Sequence, residues 1–298
     1  MFASIRWAET NGEPVCPHCG CLKPYQGRRP SGSLRFRCKG CKGSFSLTSG
    51  TLFAFHKLPL RTYLAAIAIF CNEVKGKSAL ALSRDLDVQY KTAFVLAHKL
   101  REAVASEMKG AHVGGEGKVT EVDGGYFGGY VKPANHVENR RDRRLAVNQN
   151  GKRRVVVAIR ERDGRTLTQV FGTEAASVSF IKSRVAKGTE LTADEANSWN
   201  ELHASYAMLR INHQEAYSKG GACTNGAEEF FSRMRRAEIG HHHHIANVYL
   251  ARYASESAWR DDHRRISNGG QFRSVVSLVT KNKPSVDFCG YWQRSTAS

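Results

Sequence analysis

Three acids stand at long, unequal intervals in this chain: 70 residues separate Asp123 from Asp194, and 33 separate Asp194 from Glu228. Asp123 ends a run, residues 118–123, that reads as a strand. Asp194 ends a second run, residues 190–194, and Glu228 falls in the first turn of a helix read over residues 225–236. Strand ends of one sheet, with a helix packed beside them, can gather three carboxylates. Alone, such a cluster is unfavourable, because like charges raise each other's pKa. Divalent cations relieve the repulsion. Mg²⁺ takes a few carboxylates together with water and phosphate oxygens, and two ions roughly 4 Å apart can activate one oxygen and stabilise the leaving one in phosphodiester cleavage. Arg235 lies seven residues after Glu228, two helical turns on, and so shares its face. Acid and cation together can hold metal and DNA phosphate.

Each acid also fits a structural role. Asp194 can N-cap a helix starting at Glu195. Asn225 and Glu228 have the spacing of an N-cap and its capping-box partner. Asp123 can simply open a turn.

Cys16, Cys19, Cys38 and Cys41 form C-x2-C-x18-C-x2-C. Two such knuckles close a tetrahedral structural zinc site. Cys21, beside the first knuckle, fits a ligand role less well. Residues 14–50 read as a zinc ribbon. Disulfides of a secreted domain are the competing reading. No signal-peptide pattern opens the chain, and Cys71, Cys223 and Cys289 are scattered, so a reducing cytoplasm is expected instead.

The 298 residues carry a formal charge of +18 and no apolar run near the ~20 residues a membrane span needs. The excess points to a polyanionic partner, with nucleic acid favoured over membrane. Much of the charge falls in residues 132–154, where Lys132, Arg140, Arg141, Arg143, Arg144, Lys152, Arg153 and Arg154 face only Glu138 and Asp142. This stretch has no apolar period and reads as a mobile loop that neutralises phosphates.

The elements that must carry these residues follow from periodicity. Residues 58–108 read as three helices, with breaks at Gly76 and at Asp87-Val88-Gln89. A short helix, a tight turn and a longer helix opening on Tyr90, Lys91 and Thr92 fit a helix-turn-helix, whose second helix reads the major groove with its first residues. A plain three-helix bundle fits the same pattern. Residues 110–117 are a Gly-rich boundary. Beyond them come the first acid's strand, a Gly-rich turn at 124–129, and a hairpin over 154–171 turning at Asp163-Gly164. A helix over 175–186, the strand to Asp194, a strand near 209–212 and two helices complete a mixed sheet with helices against it. Glu256, Arg260 and Arg264 share a helix face, either as a salt-bridged surface or as a grip on phosphate. His241 to His244 read as a loop between helices that touches DNA.

The ordered pattern Asp…Asp-x33-Glu-x6-Arg resembles the signature of DDE transposases. Glu121-Val122-Asp123 before the Gly-rich turn, Asn212-His213 ahead of Thr224–Glu228, and Tyr253-x2-Glu256-x3-Arg260-x3-Arg264 resemble the ISXO-like branch of insertion-sequence transposases, which carries an N-terminal zinc ribbon. The resemblance covers residues of about 14–265. It implies an α/β fold, with an RNase H-like catalytic domain at 117–265 after the zinc ribbon and the helix-turn-helix region, and a tail at 266–298. It further implies Mg²⁺ or Mn²⁺ on Asp123, Asp194 and Glu228, structural Zn²⁺ on the four cysteines, and terminal repeats plus target DNA as partners. At least a homodimer in the DNA complex and a bacterial, nucleoid-associated location are expected. Gly124 stands where many members have an acid, Arg235 where lysine is common, and Asp262 where asparagine is frequent. Some relatives use asparagine as the third ligand, which sets Asn225 against Glu228; the charge of Glu228 and its register with Arg235 favour Glu228.

Overall fold

The computed structural model describes residues 1–55, 57–128, 134–141, 146–148, 151–211 and 223–294. Lys132, Arg143, Arg144, Asn212 and His213 lie outside the described residues. The chain divides into two compact units, Met1–Glu107 with Arg265–Ser298, and Met108–Arg264.

The first unit opens with α1 (Phe2–Arg6) and three short antiparallel strands, β1 (Tyr25–Arg28), β2 (Leu34–Arg37) and β3 (Ser44–Phe45), in the order β1-β2-β3. So small a sheet cannot bury much. Its core is one aromatic stack, with Phe36 on Phe45 at 5.2 Å and Trp7 edge-on to Phe36 at 5.8 Å, packed against Cys16 and Cys38. Three helices follow: α2 (Leu60–Asn72), α3 (Ala79–Asp85) and α4 (Tyr90–Glu107). Pro59 precedes α2. The Ser78 hydroxyl accepts from the Ala81 amide and caps α3. Asp87, at φ +49°, makes the tight turn between α3 and α4, and Leu82 packs on Ala93 and Ala97 across it.

The second unit holds β4 (Val113–Gly114), β5 (Val119–Phe127), β6 (Arg154–Glu161), β7 (Thr166–Phe171), α5 (Val178–Arg184), β8 (Val185–Ala186), β9 (Glu190–Asp194), β10 (Ala207–Ile211), α6 (Asn225–Ala237) and α7 (Asn247–Asp262). Among the described residues, five strands form a mixed sheet in the order β10-β9-β5-β6-β7. β5 runs parallel to β9 and antiparallel to β6, and β4 pairs separately with β8. Side chains alternate faces along a strand. On β6, Val155, Val157 and Ile159 enter a core with Val178 and Ile181 of α5, while Val156 and Ala158 enter the opposite core with Phe230, Phe231 and Met234 of α6. Helices therefore cover both faces.

Two local expectations change. The Gly-rich turn after Asp123 is strand instead, since β5 continues through Gly124 and Gly125 to Phe127. The glycines are needed for packing: a β-carbon on Gly125 would stand 2.3 Å from the Phe231 ring, and one on Gly124 would stand 2.6 Å from the Glu174 carboxylate. The histidine loop is also partly helical, because Glu238–His242 continues α6 as a π-helical turn, with His242 edge-on to Tyr253.

The chain returns to the first unit as α8 (Asn268–Lys281), which packs on α1, α2 and α4, and α9 (Tyr291–Arg294). The connecting segment runs back along α4. Asn282 donates to Ser106, Ser285 to Glu102, and the Trp292 indole to the Lys91 carbonyl. No helix among the described residues is long and apolar enough to cross a membrane.

Candidate active site and zinc ribbon

The sulfurs of Cys16, Cys19, Cys38 and Cys41 all lie within 4.8 Å of one another. Tight backbone turns bring them there. Gly20 N–H donates to the Cys16 carbonyl at 2.9 Å and Cys38 N–H to the Gly43 carbonyl at 2.9 Å, with Gly20 at φ +74° and Lys42 at φ +58°. Four convergent thiols, with no fifth such donor among the described residues, suit tetrahedral zinc. Cys21 stays outside the set, its sulfur turned to the Leu22 carbonyl.

In the second unit, register fixes the first two acids. Val122 pairs with Ala193 in the parallel β5–β9 ladder, so Asp123 and Asp194 are the next residues on adjacent strands. Trp199 donates its indole N–H to Asp194 Oδ1 at 2.7 Å, and the Ala196 amide donates to the same oxygen at 3.2 Å. Asp194 thus ends its strand and is oriented by these two donors; it does not cap a helix starting at Glu195, since the helical turn begins at Asn197 after Ala196. Asp123 Oδ1 accepts from the Gly124 amide at 2.7 Å.

Glu228 comes from the first turn of α6. The residue preceding that helix is Thr224, with Asn225 inside it and exposed. The Thr224 hydroxyl donates to Glu228 Oε1 at 3.4 Å, a side-chain contact and not a cap, so the expected capping box of Asn225 and Glu228 does not form. Arg235 is exposed two turns on, its guanidinium 5.8 Å from the Phe231 ring centre.

The acids sense one another. Burial pushes Asp123 up to about 7, and the charges of Asp194, Glu228 and Glu174 add to the rise against the pull of the Gly124 amide. Glu174 is itself raised, by burial first and then by Asp194. Sequence reasoning passed over Glu174, which belongs to no motif. Its trace in the sequence is Gly124, whose missing side chain leaves room for it. Among the described residues, the cysteines are the one set of three or more His, Cys, Asp or Glu donors drawn together closely enough to hold a metal ion.

A second polar centre lies under the sheet. Asp261, 5% exposed, accepts from Arg160, Arg233 and Arg264, and Arg160 also donates to Thr166 Oγ1 at 2.6 Å. Arg260, expected to contact DNA, is half-buried, its side chain largely covered, and donates to Glu256 at 2.7 Å. The i, i+4 spacing that suggested a phosphate grip turns this pair inward. Arg264 is partly exposed and bonded to Asp261. In the first unit Tyr90 and Lys91 are exposed and Thr92 half-buried, and Arg140 and Arg141 of the second unit are exposed.

A four-thiol ribbon, a helical region, and a mixed sheet bearing acids on adjacent strands, Asp123 within β5 and Asp194 at the end of β9, define a modular α/β protein with a zinc-type and a carboxylate centre. The ISXO2-like transposase domain matches residues 107–262, and the transposase zinc-ribbon domain matches residues 1–44. The chain belongs to the ISXO2-like transposase family. No curated protein and no solved structure matches it.

Proposed function

We propose that the protein is an active insertion-sequence transposase that binds the terminal repeats of its element, cuts a phosphodiester at each end and joins the freed 3′-hydroxyl to target DNA. The observation that carries this reading is that Asp123 and Asp194 stand side by side on adjacent strands, β5 and β9, with Glu228 in the first turn of α6 near enough for its charge to act on Asp123. On this reading the second unit is RNase H-like, and α3 with α4 forms a helix-turn-helix. The catalytic region is taken as residues 117–265, the ribbon as 14–50, the helical region as 58–108 and the tail as 266–298.

Hard carboxylate oxygens suit Mg²⁺ or Mn²⁺. When bound, such ions would supply charge neutralisation and oxygen activation for in-line phosphoryl transfer. Asp123, Asp194 and Glu228 hold them, Trp199 orients Asp194, and Arg235 meets the scissile-strand phosphate. Hydrolysis and joining are both in-line transfers, so one site serves both. Tyr90, Lys91 and Thr92 read the end repeat. Arg140, Arg141, Arg143, Arg144 and Arg264 grip phosphate with steep salt dependence, whereas Arg260 braces α7 through Glu256. Pairing of two ends calls for a homodimer or larger assembly on DNA, in the cytoplasm at the nucleoid.

The test is cleavage and joining of an oligonucleotide carrying the element end, by purified protein with Mg²⁺ or Mn²⁺. Asp123→Asn and Asp194→Asn should abolish both products and leave DNA binding nearly intact. Binding without nicking by the wild type would mark a DNA-binding regulator or decayed copy, and nicking without joining a nuclease.

A further inference from the structure

Helix α6 starts without a side-chain cap from Thr224. The first amides of a helix need acceptors and favour negative charge. Here the acceptor comes from another element. Glu121, 3% exposed on β5, accepts the Ala227 amide on Oε2 at 3.0 Å. Its Oε1 accepts Arg162 Nε at 3.0 Å, and Arg162 donates onward to the Cys223 carbonyl at 3.2 Å. One carboxylate therefore ties both the helix start and the residue leading into it. Gly226 is what lets the carboxylate in, since a β-carbon there would stand 2.9 Å from Glu121 Oε2 and 3.1 Å from Arg160.

Glu121 and Asp123 are two residues apart on β5 and share a face. Ala227 immediately precedes Glu228. The strand that carries the first acid thus grips the helix that carries the third, one residue from its carboxylate-bearing position. We propose that Glu121 is a positioning residue, which fixes the start of α6 so that Glu228 is set against Asp123. This rests on the reading of Glu228 as a cation ligand.

The experiment is Mn²⁺ titration of the full chain by calorimetry, with melting curves beside it. Glu121→Ala removes the acceptor. Glu121→Gln keeps an acceptor for Ala227 but loses the charge facing Arg162. Gly226→Ala leaves Glu121 in place and pushes its carboxylate off the helix, and Glu228→Gln is the control on the parent reading. Glu121→Ala and Gly226→Ala should weaken Mn²⁺ binding by about ten- to a hundredfold, the usual cost of losing a group that orients a ligand, with Glu121→Gln close to wild type. Arg162→Met, which spares the Ala227 bond, should lower the melting temperature without that loss of affinity. Should Glu121→Ala fail to fold, Gly226→Ala against Glu121→Gln carries the same comparison. If Glu228→Gln weakens Mn²⁺ binding but Gly226→Ala and Glu121→Ala do not, the positioning role is overturned and the site reading stands. If Glu121→Gln loses affinity as fully as Glu121→Ala, the charge matters and not the grip on Ala227, and the role is likewise overturned. Wild-type affinity in Glu228→Gln would instead remove the parent reading.

Discussion

Trp199 holds Asp194 by one hydrogen bond, indole N–H to Oδ1 at 2.7 Å, from a fully buried ring in the core beneath the strand. The carboxylate is therefore oriented from the hydrophobic side of the sheet. Trp199→Phe keeps an aromatic core while removing the donor and part of the ring volume. It should weaken divalent-cation binding and end cleavage by about tenfold, a typical loss for an orienting partner, while circular dichroism stays that of the wild type.

Asp123 makes the metal-free fold pH-dependent. Its folded pKa of about 7 lies above the ordinary 3.8, mainly through burial. The folded state then holds the proton longer than the unfolded chain, so stability is greatest at low pH and falls as pH rises from 3.8 toward about 7. Asp123→Asn removes this slope. In chelator, the variant should melt higher than wild type at about pH 8, with the difference vanishing near pH 4, as linkage requires. Mn²⁺ should raise the wild-type melting temperature at the higher pH and leave the variant unmoved.

Asp261, itself buried, accepts from the buried Arg160 and from the more exposed Arg233 and Arg264. Removing this acid strands the buried charge of Arg160 above all. Asp261→Ala should lose about 3–5 kcal/mol in urea denaturation, the range for breaking a buried pair from one side. Arg264→Ala, at the exposed rim, should lose about 1 kcal/mol or less.

The ribbon is a packed aromatic stack seated on two of its own ligands, Cys16 and Cys38. Cys38→Ser should abolish zinc retention, measured by metal analysis after dialysis, and should release the remaining ribbon thiols to a thiol reagent. End-repeat binding should fall with it, while the second unit keeps its own melting transition.

Elements with strong periodicity were legible in advance. The three helices before residue 108, the hairpin turning at Asp163-Gly164 and the strand ending at Asp194 all stand where their patterns put them. The four thiols were legible for a different reason, since their spacing alone restricts them to knuckles. Misreading set in where glycine served packing rather than turning. Gly124 and Gly125 look like a break, yet they continue β5 because Glu174 and Phe231 fill the space their side chains would need. Partners distant in sequence were invisible too: nothing local joins Glu121 to Ala227. Trp199 is only five residues from Asp194, yet no periodicity says that its indole turns back to the carboxylate. Arg260 shows the converse, because a helical face tells which residues are neighbours but not whether that face meets solvent or core.

The most direct test of the central claim is anomalous diffraction from Mn²⁺-loaded crystals of the full chain with an end-repeat duplex. Two peaks about 4 Å apart, the spacing of a two-metal site, are expected, bounded by Asp123, Asp194 and Glu228. Manganese bound elsewhere, or held by Asn225 with Glu228 turned away, would contradict it.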